Sequence, residues 1–226
     1  MSKETIEIKE VSDTAVWVAY YRALETERSD ALFKDPLAKI LVGTRGPQIA
    51  EHMKKIGRYT QWSVVSRTVM IDEFIKEQIA NGVDVVLNLG AGLDTRPYRM
   101  DLPASLQWIE VDYPKIIDLK NDRLKNEKPV CKLTRVAMDL ANLNERRKLF
   151  ADINANSKKV LVLTEGVIPY LTPEQVRELA NDLHAQPCFA FWITEYFTRE
   201  VYKYLKGRVR TKKMANAPFL FYPDDW

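Results

Sequence analysis

From about Val83 onward, short apolar runs alternate with stretches of helical periodicity. That alternation predicts a parallel sheet with crossover helices. Strands are expected at 83–89, 106–111, 132–137, 160–163 and 188–193. Several are apolar at nearly every position, as strands covered on both faces should be. Helices are expected near 114–126, 142–154 and 173–183. The last has a clear start: Thr172 can cap it, Pro173 suits the first helical position, and Gln175 completes a capping box. Upstream, Trp62, Val65, Val69, Phe74, Ile75 and Ile79 recur at helical spacing and predict a packed helix before the first strand. Residues 11–41 read as two helices separated near Ser29-Asp30, with Lys34-Asp35-Pro36 opening the second. The aromatics of that segment (Trp17, Tyr20, Tyr21, Phe33) are expected to pack on the main domain rather than line a pocket. Without an internal repeat or a low-complexity linker, the chain reads as one α/β domain, a helical cap over 1–60 and a Rossmann-like core over 61–226.

Composition narrows the picture modestly. In 226 residues, 46% are apolar and 29% charged, an ordinary balance for a folded domain. A net charge of +3 calls for neither a nucleic-acid nor a membrane partner. The longest apolar runs fall far short of the ~18 residues that a membrane span needs. No apolar stretch follows the first charged residues, so no secretory signal is read. Cys131 and Cys188 lie among apolar neighbours and are expected as buried thiols in a reducing cytoplasm. They and the two histidines, His52 and His184, lack clustered spacing, so no metal site is expected. The basic run 206–213 is expected to be a solvated helix end or loop rather than a phosphate contact.

The most informative stretch is Val85-Val86-Leu87-Asn88-Leu89-Gly90-Ala91-Gly92-Leu93-Asp94-Thr95-Arg96. A strand runs into a glycine turn, where the backbone can bend sharply and approach a ligand closely. About twenty residues later a second strand ends in Glu110-Val111-Asp112, and an acid there can accept both ribose hydroxyls. A nicotinamide dinucleotide and S-adenosyl-L-methionine both fit this geometry. The dinucleotide fingerprint wants Gly or Ala where this chain has Thr95, and the charge of Asp94 would repel a pyrophosphate. S-adenosyl-L-methionine has no phosphate, and the turn suits it better.

Several ordered motifs resemble the leucine carboxyl methyltransferase family, especially its bacterial branch of O-methyltransferases. They are the segment 25–38, ending in Phe33-Lys34-Asp35-Pro36-Leu37-Ala38, then Ser66-Arg67-Thr68, the glycine turn, Glu110-Val111-Asp112-Tyr113-Pro114, and the stretch 164–175 beginning Thr164-Glu165-Gly166. The resemblance runs over nearly the whole chain from about Val11. It implies a class I methyltransferase sheet and S-adenosyl-L-methionine as cofactor. It further implies that Arg67 pairs with the methionyl carboxylate and that Gly90, within the loop Gly90-Ala91-Gly92, lies against the cofactor. Asp112 becomes the ribose acid, Asp139 and Leu140 border the adenine, and Glu165 lies near the amino end. Arg22 falls roughly where the family has another basic contact. Two departures stand out. Val69 replaces a second arginine usual in bacterial relatives, and two further strands normal for the family are not seen after 219–226.

Methyl transfer from a sulfonium is an in-line displacement, and the enzyme mainly has to align the reactants and exclude water. A carboxylate acceptor is already ionised at neutral pH, whereas a hydroxyl benefits from a base. The resemblance favours an oxygen acceptor, a carboxylate or hydroxyl of a small molecule or peptide end. Glu165-Gly166-Val167-Ile168-Pro169-Tyr170 stands where nucleic-acid amino methyltransferases often carry an Asn/Asp-Pro-Pro-aromatic motif, which lowers base methylation. A nicotinamide-dependent oxidoreductase and a catalytically idle nucleoside-binding protein are the competing readings.

Overall fold

The computed structural model describes residues 11–205 and 215–223. Its centre is a five-stranded sheet, all parallel, in the order β3-β2-β1-β4-β5. The strands are β1 (Val85–Leu89), β2 (Gln107–Asp112), β3 (Lys132–Ala137), β4 (Val160–Thr164) and β5 (Phe189–Thr194). Each lies within two residues of its expected place. β1 and β4 are buried at every position, which is why their sequences do not alternate. One face of the sheet, including Val85, Leu87, Leu89 and Val162, packs on Phe150, Val176 and Leu179. These belong to α7 (Leu143–Asn156) and α8 (Pro173–His184). The other face, including Val86, Trp108, Leu161 and Leu163, packs on Ile71 and Ile75 of α4 (Lys54–Ala80). Two short elements complete the crossovers, α5 (Arg96–Arg99) and α6 (Pro114–Arg123).

The chain winds outward from β1 to β3 and then starts again on the other side with β4. The connections that leave the carboxyl ends of the paired strands β1 and β4 therefore run in opposite directions, the place where open α/β sheets form a ligand crevice. The capping box at α8 is present: Thr172 Oγ1 accepts from the Gln175 N–H, and Gln175 Oε1 accepts from the Thr172 N–H.

Helix α4 departs from expectation. Val65 and Ile75 are buried, but Trp62 and Phe74 are exposed, at 67% and 47%. The inward face instead uses Val64, Thr68, Ile71 and Asp72. In so long a helix, steps of three and four residues fit two faces, and Trp62 and Phe74 share the outer one with Met70. The same helix runs unbroken across residue 60, so the boundary drawn there between cap and core falls inside an element.

Before the sheet come α1 (Val11–Thr26), α2 (Pro36–Val42) and α3 (Arg45–His52). Trp17 and Tyr21 are buried against Ile49, Met53, Val64 and Ala217, and Phe33 lies under the Arg99 guanidinium at 5.2 Å. The aromatics thus pack, as expected. Beyond β5 lies α9 (Arg199–Leu205), and among the described residues no strand pairs with the outer edge of β5. Residues 215–223 return to the site end of the sheet, where Leu220 N–H donates to Pro169 O at 2.7 Å and Phe219 stacks on Phe197. Both cysteines are free thiols, Cys131 buried and Cys188 half-buried; burial pushes the Cys131 thiol up to about 11. No helix among the described residues is long and apolar enough to cross a membrane. The basic run 206–213 lies outside the described residues.

Candidate functional site

A cavity of about 430 Å³ opens at the carboxyl ends of β1 and β4. Its first wall is the turn after β1. Gly90 and Gly92 have φ of 66° and 49°, the left-handed region that side chains disfavour. The N–H groups of Gly90 and Ala91 both donate to Val111 O, at 2.8 and 3.1 Å, tying the turn to β2. A Cβ on Gly90 would stand 2.5 Å from Val167 Cγ2, so this position excludes any larger residue on steric grounds as well.

Asp112 ends β2 and is buried. Its two carboxylate oxygens accept backbone N–H groups, Gly92 at 2.6 Å and Tyr113 at 2.7 Å. Burial pushes its pKa up, against the lowering pull of those bonds and of Lys120. Each oxygen retains one acceptor site, enough for a vicinal diol. Beyond it the cavity is lined by Tyr113, Ile116, Met138, Asp139 and Leu140. Asp139 accepts from the Ala141 N–H at 2.9 Å and is exposed. The cap of α7 is Asn142, whose side chain accepts from the Glu145 N–H; Asp139 instead bonds the Tyr113 hydroxyl and lines the cavity.

The opposite end is charged. Arg67, on α4, donates through Nη1 to both oxygens of Glu195, at 2.7 and 2.6 Å. Its Nη2 lies 3.0 Å from Glu165, the residue that follows β4. Arg96 is almost fully buried and pairs with Asp72 (2.7 Å), Asp94 (2.9 Å) and Glu165 (2.7 Å). Arg99 extends the chain of pairs to Asp72 at 2.6 Å. Arg22 bonds Asp35 at 2.8 Å and the Leu93 carbonyl at 2.5 Å, fastening the glycine turn to the helical cap. Burial alone would raise the Glu165 carboxyl, but Arg96 and Arg67 hold it down to about 2. The same opposition, with Arg96 dominant, keeps Asp94 well below the usual carboxylate range. Burial lowers and the surrounding carboxylates raise the guanidinium pKa values, with a net rise at Arg67 and Arg96.

Arg67, Gly90, Ala91, Gly92, Asp112, Asp139, Leu140 and Glu165 all line this one cavity, and so does Arg22. Neither histidine does. Asp94 is not a bare charge beside the ligand: Arg96 and the Asn88 amide (2.8 Å) already engage it, so its repulsion of a pyrophosphate is weaker than the sequence suggests. Sequence reasoning also missed Arg96 and Glu195, which pair with the lining residues Asp94, Glu165 and Arg67, and Asp72 behind them. Only the pairing of Asp94 with Arg96, two residues apart, was local enough to be seen. Among the described residues no three His, Cys, Asp or Glu side chains cluster so as to hold a metal.

Residues 15–184 match the model of the family described as leucine carboxyl methyltransferase. The chain is 32% identical over 192 residues to a protein of Streptomyces avermitilis provisionally named an S-adenosyl-L-methionine-dependent methyltransferase, covering 81% of this chain and 68% of that one. It is 37% identical over 147 residues to a protein of the same provisional name from Streptomyces coelicolor, covering 61% and 52%. A third so named, from Frankia alni, is 33% identical over 182 residues, covering 76% and 63%. The chain thus spans between about half and about two thirds of the length of these relatives. Among solved structures, a DUF574 family protein from Streptomyces avermitilis aligns with a TM-score of 0.59 at 17% identity, covering 95% of this chain and 81% of that one. At that identity the likeness concerns the fold.

Proposed function

This chain belongs to the leucine carboxyl methyltransferase family, and from that premise we propose that its cavity binds S-adenosyl-L-methionine and directs methyl transfer to an acceptor oxygen. The observation that carries this reading is the order of groups along one cavity. Asp112 stands between an apolar slot at Met138 and Leu140 and an end where Arg67 and Glu165 lie 3.0 Å apart. A nucleoside whose sugar carries a zwitterionic amino acid matches that order: base in the slot, diol on Asp112, carboxylate toward Arg67, ammonium toward Glu165. Two further details fit. The turn at Gly90 leaves no room for a Cβ, and Arg67 Nε is buried without a hydrogen-bond partner.

When bound, the sulfonium supplies the activated methyl group. The chain's own residues then have to orient ligand and acceptor and exclude water. Asp94 and Glu165 are committed to guanidinium partners and held ionised at low pKa, which makes both poor general bases. A carboxylate acceptor needs no base, so a carboxylate of a small molecule or peptide end is the preferred acceptor, with a hydroxyl second.

Titration calorimetry is expected to give binding of S-adenosylmethionine and S-adenosylhomocysteine without binding of NAD; tight NAD binding alone would end the reading. Asp112→Ala should weaken the nucleoside ligands by about 1–3 kcal/mol, the worth of a charge-assisted acceptor. An unchanged Kd in the folded variant would return Asp112 to a purely structural role. With labelled methyl donor and a lysate as acceptor source, alkali-labile label released as methanol supports a carboxyl acceptor. Label that stays bound supports a hydroxyl or nitrogen acceptor instead.

A further inference from the structure

Arg67 reaches the cavity with its Nη1 already occupied, and the occupant is a carboxylate of the same chain. Both oxygens of Glu195 accept from Nη1, at 2.7 and 2.6 Å, while Nη2 serves Glu165. Glu195 directly follows β5, at the start of the irregular residues 195–198. It approaches the cavity wall across Gly166, whose missing Cβ would sit 3.7 Å from Glu195 Oε1. Resting on the reading of Arg67 as the residue for the ligand carboxylate, we propose that Glu195 is an internal competitor for that guanidinium. It thereby sets how strongly the site favours carboxylate-bearing nucleosides over those without a carboxylate.

Charge balance supports displacement. The guanidiniums of Arg22, Arg67, Arg96 and Arg99 are linked by ion pairs to five carboxylates, Asp35, Asp72, Asp94, Glu165 and Glu195. The network thus carries one anion in excess. S-adenosylhomocysteine, whose sulfur is neutral, adds one charge of each sign through its ammonium and carboxylate. If Glu195 stays on Arg67, two carboxylates crowd one guanidinium and the excess persists. If Glu195 swings away, the ligand carboxylate takes its place and the charges balance. Exposure points to the same residue as the one that leaves. The Glu195 side chain is 21% exposed, whereas those of Asp35, Asp72, Asp94 and Glu165 are at 0%, 8%, 9% and 13%. Glu195 therefore needs the least rearrangement to reach water.

A ligand that must first free Arg67 binds with an affinity reduced by the fraction of molecules in which that donor pair is open. A ligand lacking the carboxylate escapes the reduction. The test compares S-adenosylhomocysteine with 5′-methylthioadenosine, which keeps the base, ribose and sulfur but has no amino acid. Glu195→Gln, nearly isosteric, is expected to tighten S-adenosylhomocysteine roughly tenfold while shifting methylthioadenosine less than about twofold. Glu195→Ala should move both in the same directions, and retained methylthioadenosine binding shows that either variant is folded. Binding of S-adenosylhomocysteine that is unchanged or weakened, as when its carboxylate reaches Arg67 through Nε, overturns the proposal, as does an equal shift of both ligands. If neither ligand binds the wild-type protein, the nucleoside reading of the cavity falls, and this inference with it.

Discussion

Glu110→Ala is expected to cost about 3–5 kcal/mol of stability, the toll of leaving a buried charge without its partner. Glu110 lies in the middle of β2 with a side chain 0% exposed, and the Lys120 ammonium, equally inaccessible, approaches it to 2.8 Å. Arg135 completes the group at 2.9 Å. The two cations fare differently when the carboxylate is removed. Arg135 is partly exposed and keeps Asn121 and the Tyr98 hydroxyl as acceptors. Lys120 points from α6 into the sheet, and its stem offers no path to water. Its charge then has only longer-range partners, Asp112 and Asp94, both of which it helps to keep ionised. Converting Lys120 as well, in Glu110→Ala with Lys120→Met, should recover most of the loss, because an apolar replacement removes the stranded charge. Urea unfolding of the two single variants and the double variant gives the coupling directly. A loss below about 1 kcal/mol for Glu110→Ala would mean that the pair is wet in solution.

The contrast between this pair and the glycine turn explains which parts of the molecule were legible in the sequence. Strand β1, its turn and Asp112 lie within 28 consecutive residues, and each carries a local signature: apolar continuity, glycine, a terminal acid. The same holds for Thr172, Pro173 and Gln175, whose capping box is fixed by neighbours in sequence. Glu165 could be flagged because an acid beside an apolar strand is costly unless paired. The identity of its partner could not be read. Arg96 is 69 residues away, and Arg67 meets Glu195 across 128. Such pairs exist only once the sheet has set β4 and β5 beside α4, and nothing periodic announces them. Trp62 and Phe74 show the same limit on a helix, where spacing gave a stripe but not which stripe faces inward.

Arg96→Met should be as damaging as the loss of Glu110, and its pH dependence separates it from an ordinary core defect. Arg96, with a side chain 3% exposed, holds Asp72, Asp94 and Glu165 together. Without it Asp94 has no guanidinium in contact, Glu165 keeps only Arg67 and Asp72 only Arg99, a loss of about 3–5 kcal/mol at pH 7. In the wild-type protein Glu165 titrates near 2 against 4.5 for an ordinary glutamate. A depressed carboxyl stabilises the fold above its unfolded pKa and loses that contribution as pH falls from about 4.5 toward about 2, close to 3 kcal/mol in all. Wild-type stability should therefore change little from this group between pH 7 and pH 5. In the variant the sign reverses. Burial, no longer opposed by Arg96, raises the Asp94 carboxyl, so the folded state takes up a proton first and gains stability as pH falls. The deficit relative to wild type is then largest near pH 7 and shrinks toward pH 5, as urea unfolding at the two pH values would show. S-adenosylhomocysteine binding should fall in parallel at pH 7, because Glu165 would no longer be fixed beside Arg67. A deficit that stays constant across that range would mean that Arg96 acts by filling space, with its three carboxylates independently solvated.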